Sequence, residues 1–81
     1  MTDKILKEII CQRIIALRTK SGLKQEQLAL QSSISKGGLN EIERCLKEPK
    51  INTIAKLCAT FGIRMSDFFD FQEIDEYVNR L

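Results

Sequence analysis

The chain has 81 residues, enough for one small domain, with 13 Lys/Arg against 11 Asp/Glu and no histidine. A core of this size is marginal unless its helices pack regularly or a second copy adds buried surface. No apolar run approaches the roughly 18 residues of a membrane span, the charged N-terminus lacks a signal-peptide pattern, and three widely spaced cysteines without histidine argue against a zinc site.

The expected location is therefore the cytoplasm, and no metal or cofactor is implied. The net charge of +2 conceals an asymmetry: residues 1–50 carry ten basic and six acidic side chains, and residues 51–81 carry three and five. The basic half suits a phosphate-binding surface, although a charge of this size also fits an ordinary solvated face.

Residues 3–21 hold the longest helical pattern. Ile10, Ile14 and Leu17 follow helical spacing, and Ile5, Leu6 and Ile9 extend the stripe toward the N-terminus. Gly22 ends it, where a left-handed conformation costs glycine little. A second helix is expected over about 25–31 and a third over 35–44, joined by a turn of three or four residues. This pair has the outline of a helix-turn-helix. Cys45 to Lys50 is a connector, with Pro49 marking the restart. A fourth helix covers about 52–61, with Ile54, Leu57, Cys58 and Phe61 on one face and Gly62 as its stop. Ser66 reads as the N-cap of a short fifth helix that carries Asp67 in its first turn and turns Phe68 and Phe69 to the core. Over 73–81, Ile74, Tyr77, Val78 and Leu81 recur at i, i+3, i+4 and i+7, the pattern of an amphipathic sixth helix. Nothing alternates like a strand, so the expected fold class is all-α.

From Arg13 to Phe69 the segments R-I-I-A-L-R, S-G-L-K-Q-E-Q-L-A, I-S-K-G-G-L-N-E-I-E-R, Pro49, T-I-A-K-L-C-A-T-F-G-I and M-S-D-F-F follow one another. This succession resembles the Cro/Xre phage-repressor family of helix-turn-helix regulators, which includes restriction–modification controller-like proteins. The resemblance implies a single five-helix repressor-like DNA-binding domain, with its core at 13–69, an N-terminal helix extension over 1–12 and a C-terminal helix over 72–81. Three positions depart from the family. Ser33 and Cys45 stand where glycine is common, and serine is less comfortable at positive φ. Lys24 stands where Thr or Ser usually caps the second helix.

Helical periodicity turns Leu39, Ile42 and Glu43 of the third helix inward and Lys36, Gly37, Asn40, Glu41 and Arg44 outward. If that helix enters a DNA major groove, Lys36 can donate to guanine, Asn40 can pair with adenine or touch a phosphate, and Glu41 can accept from cytosine or steer a lysine. Gly37 brings no side chain but allows close backbone approach. The alternative for Gly37 and Gly38 is a frayed or kinked first turn, since each costs about 1 kcal/mol against alanine. The resemblance implies that Gln25 binds phosphate, an amide beside free helix N–H groups. Ser35, Lys24, Arg44 and Lys47 are further phosphate candidates, with a plain N-cap as the other role for Ser35 and a solvated surface as the other role for the lysines. An inward charge at Glu43 needs a partner, and the resemblance implies a structural salt bridge between Arg18 and Glu43.

The reading is a sequence-specific DNA-binding transcriptional regulator that binds paired half-sites on double-stranded DNA as a homodimer. It is not an enzyme: there is no histidine, no nucleophile–base constellation and no phosphate-cradling glycine loop. No small-molecule ligand is implied. Ile63, Met65, Phe68, Phe69 and Phe71 form the candidate dimer surface, while the sixth helix is expected to fold back on Ile5 and Ile9. The rival reading is a protein-interaction module, such as an antitoxin or anti-repressor, with Ile15 and Leu30 as candidate exposed contacts. Cys11 and Cys58 read as small apolar residues, and Cys45 as a minor candidate for redox chemistry.

Overall fold

The computed structural model describes residues 3–81, all-helical in its regular structure: α1 (Lys4–Lys20), α2 (Gln25–Gln31), α3 (Lys36–Glu43), α4 (Ile51–Phe61), α5 (Met65–Phe68) and α6 (Gln72–Asn79). Each boundary has a local cause. At the start of α1 the Asp3 carboxylate accepts the Leu6 N–H at 3.1 Å. Ser35 caps α3 by accepting the Gly38 N–H at 3.0 Å. Lys24 and Lys50 precede α2 and α4 without a side-chain cap of their own. At α2 the deficit is partly met from the other direction, where the Gln27 side-chain oxygen accepts the Lys24 N–H at 2.9 Å.

Four helices end in the same way. One residue turns left-handed and the next donates its N–H back to a carbonyl five positions earlier, the closure of a Schellman motif. The left-handed residues are Gly22 (φ 72°), Ser33 (56°), Cys45 (62°) and Gly62 (71°). The closing bonds run from Leu23 to Arg18 (3.3 Å), Ile34 to Ala29 (2.9 Å), Leu46 to Glu41 (2.9 Å) and Ile63 to Cys58 (3.1 Å). Ser33 and Cys45 thus keep the turn that glycine would favour, at a cost on the order of 1–2 kcal/mol each. Leu23, Ile34 and Ile63 pack against the core beyond their turns, and for Ser33 the packing of Ile34 offsets the strain. Leu46, the fourth, is exposed.

The fifth helix departs from expectation. Its N-cap is Arg64 and Ser66 lies inside the helix. Ile63 is drawn inward as the residue closing α4, so the chain has to turn at Arg64. Asp67 then stabilises the start by accepting the Arg64 N–H at 3.0 Å, and the Arg64 guanidinium holds its carboxyl below the usual carboxylate range.

The core is one cluster built from α1 (Ile10, Cys11, Ile14), α2 (Leu28, Ala29), α3 (Leu39, Ile42), α4 (Ile54, Leu57, Cys58) and α5 (Phe68). Cys11 and Cys58 are buried in it and behave as small apolar residues. Burial raises both thiols, and that of Cys11, which also meets Cys45, rises to about 12. Phe68 is 0% exposed inside the single chain, which removes it from the candidate dimer surface. The sequence pattern could not separate it from Phe69, whose ring meets it edge-on at 5.0 Å. Helix α6 packs against α1 of the same chain. Ile74 and Tyr77 face inward, whereas Val78 and Leu81, the other half of the expected stripe, are exposed. No helix among the described residues is long and apolar enough to cross a membrane.

Candidate nucleic-acid interface

Helices α2 and α3 meet through Leu28 and Ala29 on one side and Leu39 and Ile42 on the other, all buried. The small Ala29 side chain permits a close crossing. The turn between them is anchored by Ser32, which is buried and shares a hydrogen bond of 2.7 Å with the Thr60 hydroxyl of α4. With Leu39 and Ile42 fixed in the core, helical geometry leaves Lys36, Gly37, Glu41 and Arg44 exposed.

Gly37 and Gly38 form a regular first turn of α3, neither frayed nor left-handed. They differ in surroundings. A Cβ on Gly38 would stand 2.7 Å from the Ser35 Oγ that caps the helix, while a Cβ on Gly37 would meet nothing within 4 Å. Gly38 therefore serves the cap, and Gly37 leaves the exposed face of the helix smooth.

Beneath this face lies a chain of polar contacts. Arg18 of α1 and Glu43 of α3 form a two-pronged ion pair, Nε to Oε2 at 2.8 Å and Nη2 to Oε1 at 3.0 Å. The Glu43 side chain is 6% exposed and that of Arg18 is 21% exposed. A third nitrogen, Arg18 Nη1, donates to the Leu23 carbonyl at 3.0 Å, so one guanidinium ties α1, the entry to α2 and α3. The inward Glu43 needs a partner, and Arg18, the residue that the family resemblance implied, supplies it. Gln25, the first residue of α2, donates from Nε2 to Glu43 Oε1 at 3.2 Å, and its Oε1 accepts from Asn40 Nδ2 at 3.1 Å. Two residues assigned separately to phosphate and base contact are therefore bonded to each other, and Asn40 is half-buried as a result.

Lys36 is also engaged. Its Nζ lies 2.5 Å from Oε1 of Glu26 across the α2–α3 angle, with both side chains well exposed, and this contact holds the Glu26 carboxyl below its ordinary range. Lys24, Ser35, Arg44 and Lys47 are all exposed, Lys24 and Ser35 at the starts of α2 and α3, Arg44 and Lys47 at the end of α3 and in the loop beyond.

Sequence reasoning missed Glu26, Ser32 and Arg13. Arg13 Nε and Nη2 each donate at 2.8 Å to carbonyls at the end of α5, those of Phe68 and Asp67, and its guanidinium lies 4.7 Å from the centre of the Phe71 ring. No periodicity distinguishes Arg13 from a solvated arginine, because its partners lie 54 and 55 positions away.

The sequence model of the family HTH_3, helix-turn-helix, matches residues 14–68, from α1 through α5. The chain belongs to this family. It is 31% identical over 61 residues to the HTH-type transcriptional regulator DdrOP3 of Deinococcus deserti, a match that spans 75% of this chain and 47% of that protein. It is equally similar to the HTH-type transcriptional regulator PuuR of Escherichia coli over 62 residues, 76% of this chain and 34% of PuuR. The chain thus spans less than half the length of either regulator. Among solved structures, the restriction-modification controller protein C.AhdI of Aeromonas hydrophila superposes with a TM-score of 0.73 and 30% identity over 78% of this chain and 96% of that one. The matched HTH_3 segment contains the whole Arg18–Glu43–Gln25–Asn40 chain.

Proposed function

We propose that the protein is a sequence-specific transcriptional regulator that binds double-stranded DNA with α3 in the major groove, as a homodimer on paired half-sites, in the cytoplasm. The observation that carries this reading is the α2–α3 angle itself: an exposed, smooth α3 face, flanked by the N-terminus of α2 and braced from below by the Arg18–Glu43 pair. In this reading Lys36, Gly37, Asn40 and Glu41 face the bases, and Lys24, Gln25, Ser35, Arg44 and Lys47 face phosphates. Lys36 leaves Glu26 to do so, an exchange that costs little because both groups are solvated.

One recognition helix reads too few base pairs for a tight site, which is the reason for a dimer. Ile63, Met65, Phe69 and Phe71 remain as its surface, each half-buried in the single chain. Phe71 also borders an open cleft between α1 and α6 together with Ile5 and Ile9. The likeness to C.AhdI along nearly its whole length supports a compact controller of the restriction–modification kind. A protein-binding role draws support from Leu30, which is 81% exposed on α2.

Selection of bound fragments from random DNA tests the main reading. We expect one enriched sequence with two related half-sites about one DNA turn apart, and binding that weakens steeply with salt. Lys36→Ala is expected to alter preference at one position, by about 1–3 kcal/mol. Light scattering at micromolar concentration should give the mass of two chains, reduced to one by Met65→Glu. Met65 is preferable to Phe69 for this purpose because Phe69 packs on Phe68. Failure to enrich any DNA sequence overturns the reading.

A further inference from the structure

The atoms that Asn40 offers to a base are not free to interchange. A side-chain amide ordinarily presents its oxygen or its NH2 group with similar ease. Here the choice is made three residues away. Glu43, paired with the Arg18 guanidinium, only accepts hydrogen bonds. Gln25 must therefore turn its NH2 toward Glu43, which points its oxygen at Asn40. Asn40 must in turn give one N–H to that oxygen. What remains for the groove is one acceptor, Oδ1, and one donor, the second N–H. Reversing the Asn40 amide would set two oxygens against each other. Reversing Gln25 as well would set its oxygen against the Glu43 carboxylate.

We infer that the Arg18–Glu43 pair, acting through Gln25, fixes the Asn40 amide in the orientation that pairs with adenine, so that Gln25 and Glu43 are positioning residues for base readout. Adenine presents an N6 donor beside an N7 acceptor in the major groove, the complement of the Oδ1 and N–H that Asn40 retains. Guanine, with two acceptors there, would leave Oδ1 facing an acceptor. Gln25 thus has two separable effects. A contact from its amide to phosphate strengthens binding to every sequence alike, while its bond to Asn40 acts on one base pair only.

The inference rests on the DNA-binding reading, and the experiment separates the two. Random-sequence selection is run on the wild type, Asn40→Ala, Gln25→Met and Glu43→Gln, with each variant's melting followed by circular dichroism. Asn40→Ala is expected to flatten the preference at a single half-site position, and that position is expected to be adenine in the wild type. Gln25→Met, which keeps length and loses the amide, should lower adenine preference at that same position by about tenfold, within what one bidentate pair supplies, besides weakening binding overall. Glu43→Gln, which can offer Gln25 either a donor or an acceptor, should lower the same preference with little uniform loss. If Glu43→Gln fails to fold, Gln25→Met decides the matter alone. A Gln25→Met protein that binds more weakly but keeps full adenine preference overturns the inference and leaves the DNA-binding reading standing. A wild type that enriches no sequence, or an Asn40→Ala variant that flattens no position, overturns base readout by Asn40 and this inference with it.

Discussion

Helix α1 carries two arginines five residues apart, Arg13 and Arg18, and each holds one end of the domain together by different means. Arg18 binds a side chain, Glu43, and through it reaches Gln25 and Asn40 at the exposed angle of α2 and α3. Arg13 binds backbone, the carbonyls of Asp67 and Phe68, and its plane lies over Phe71. The difference follows from what each junction lacks. A one-turn helix such as α5 leaves several carbonyls without an intrahelical partner, and the guanidinium fork supplies two donors in fixed geometry. The α1–α3 junction has its helices complete and instead has an acidic side chain to neutralise. A guanidinium on backbone fixes a fold. A guanidinium on a carboxylate that still has an accepting lone pair also orients whatever donates to it.

Breaking the Arg13 end at its floor should have the largest effect. Phe68 is fully buried in the core cluster, and Phe68→Ala should cost about 3–5 kcal/mol. Urea unfolding would register this as a lowered midpoint, and for a domain of this size it approaches the whole of the stability.

The Arg18 end should respond next, and in two separable ways. Glu43→Ala strands a mostly buried guanidinium and should cost about 3 kcal/mol. The double change Arg18→Met with Glu43→Leu removes both charges and should recover most of that loss, while operator preference stays impaired because Gln25 no longer has an acceptor. Equal stability losses in the single and double variants would contradict the account of the pair.

Arg13→Met supplies the contrast. It leaves the Phe68 carbonyl without a donor, while the Asp67 carbonyl keeps the Asp70 N–H, and should cost about 2 kcal/mol, with the selected DNA sequence unchanged. A shifted sequence preference in this variant would show that the two arginines are not functionally distinct.

The smallest effect separates the two glycines that open α3. Gly37→Ala meets open space and should stabilise by up to about 1 kcal/mol. Gly38→Ala should gain little or nothing, because its Cβ would displace the Ser35 cap, which contributes about 1 kcal/mol. Thermal melting of the two variants side by side measures the difference directly.

Much of this architecture was legible in the sequence. The apolar spacing of Ile10 and Ile14, of Ile54, Leu57 and Cys58, and the stops at Gly22 and Gly62 place α1 and α4 within a residue or two, because helical periodicity and left-handed glycine are local properties. Ser33 and Cys45 look unsuited to their turns, yet both adopt positive φ. There the closing hydrogen bond and, for Ser33, the burial of Ile34 outweigh the steric cost. Ser66 shows the opposite failure: a good local N-cap is overruled because Ile63 is required in the core.

What the sequence determined by itself is the order and extent of the helices, the inward faces that form the core and, from the inward position of Glu43, the need for a charged partner. What only the tertiary structure decided is which of three nearby phenylalanines is buried, that half of the α6 stripe stays exposed, that Arg13 caps α5, and that Asn40 leans on Gln25. The physical reason is range. Apolar periodicity is written along a helix within a few turns, whereas the partner of a polar side chain is chosen by directional bonds shorter than about 3.5 Å. Only the packing of Leu28, Ala29, Leu39 and Ile42 brings residues 25 and 40 within that reach.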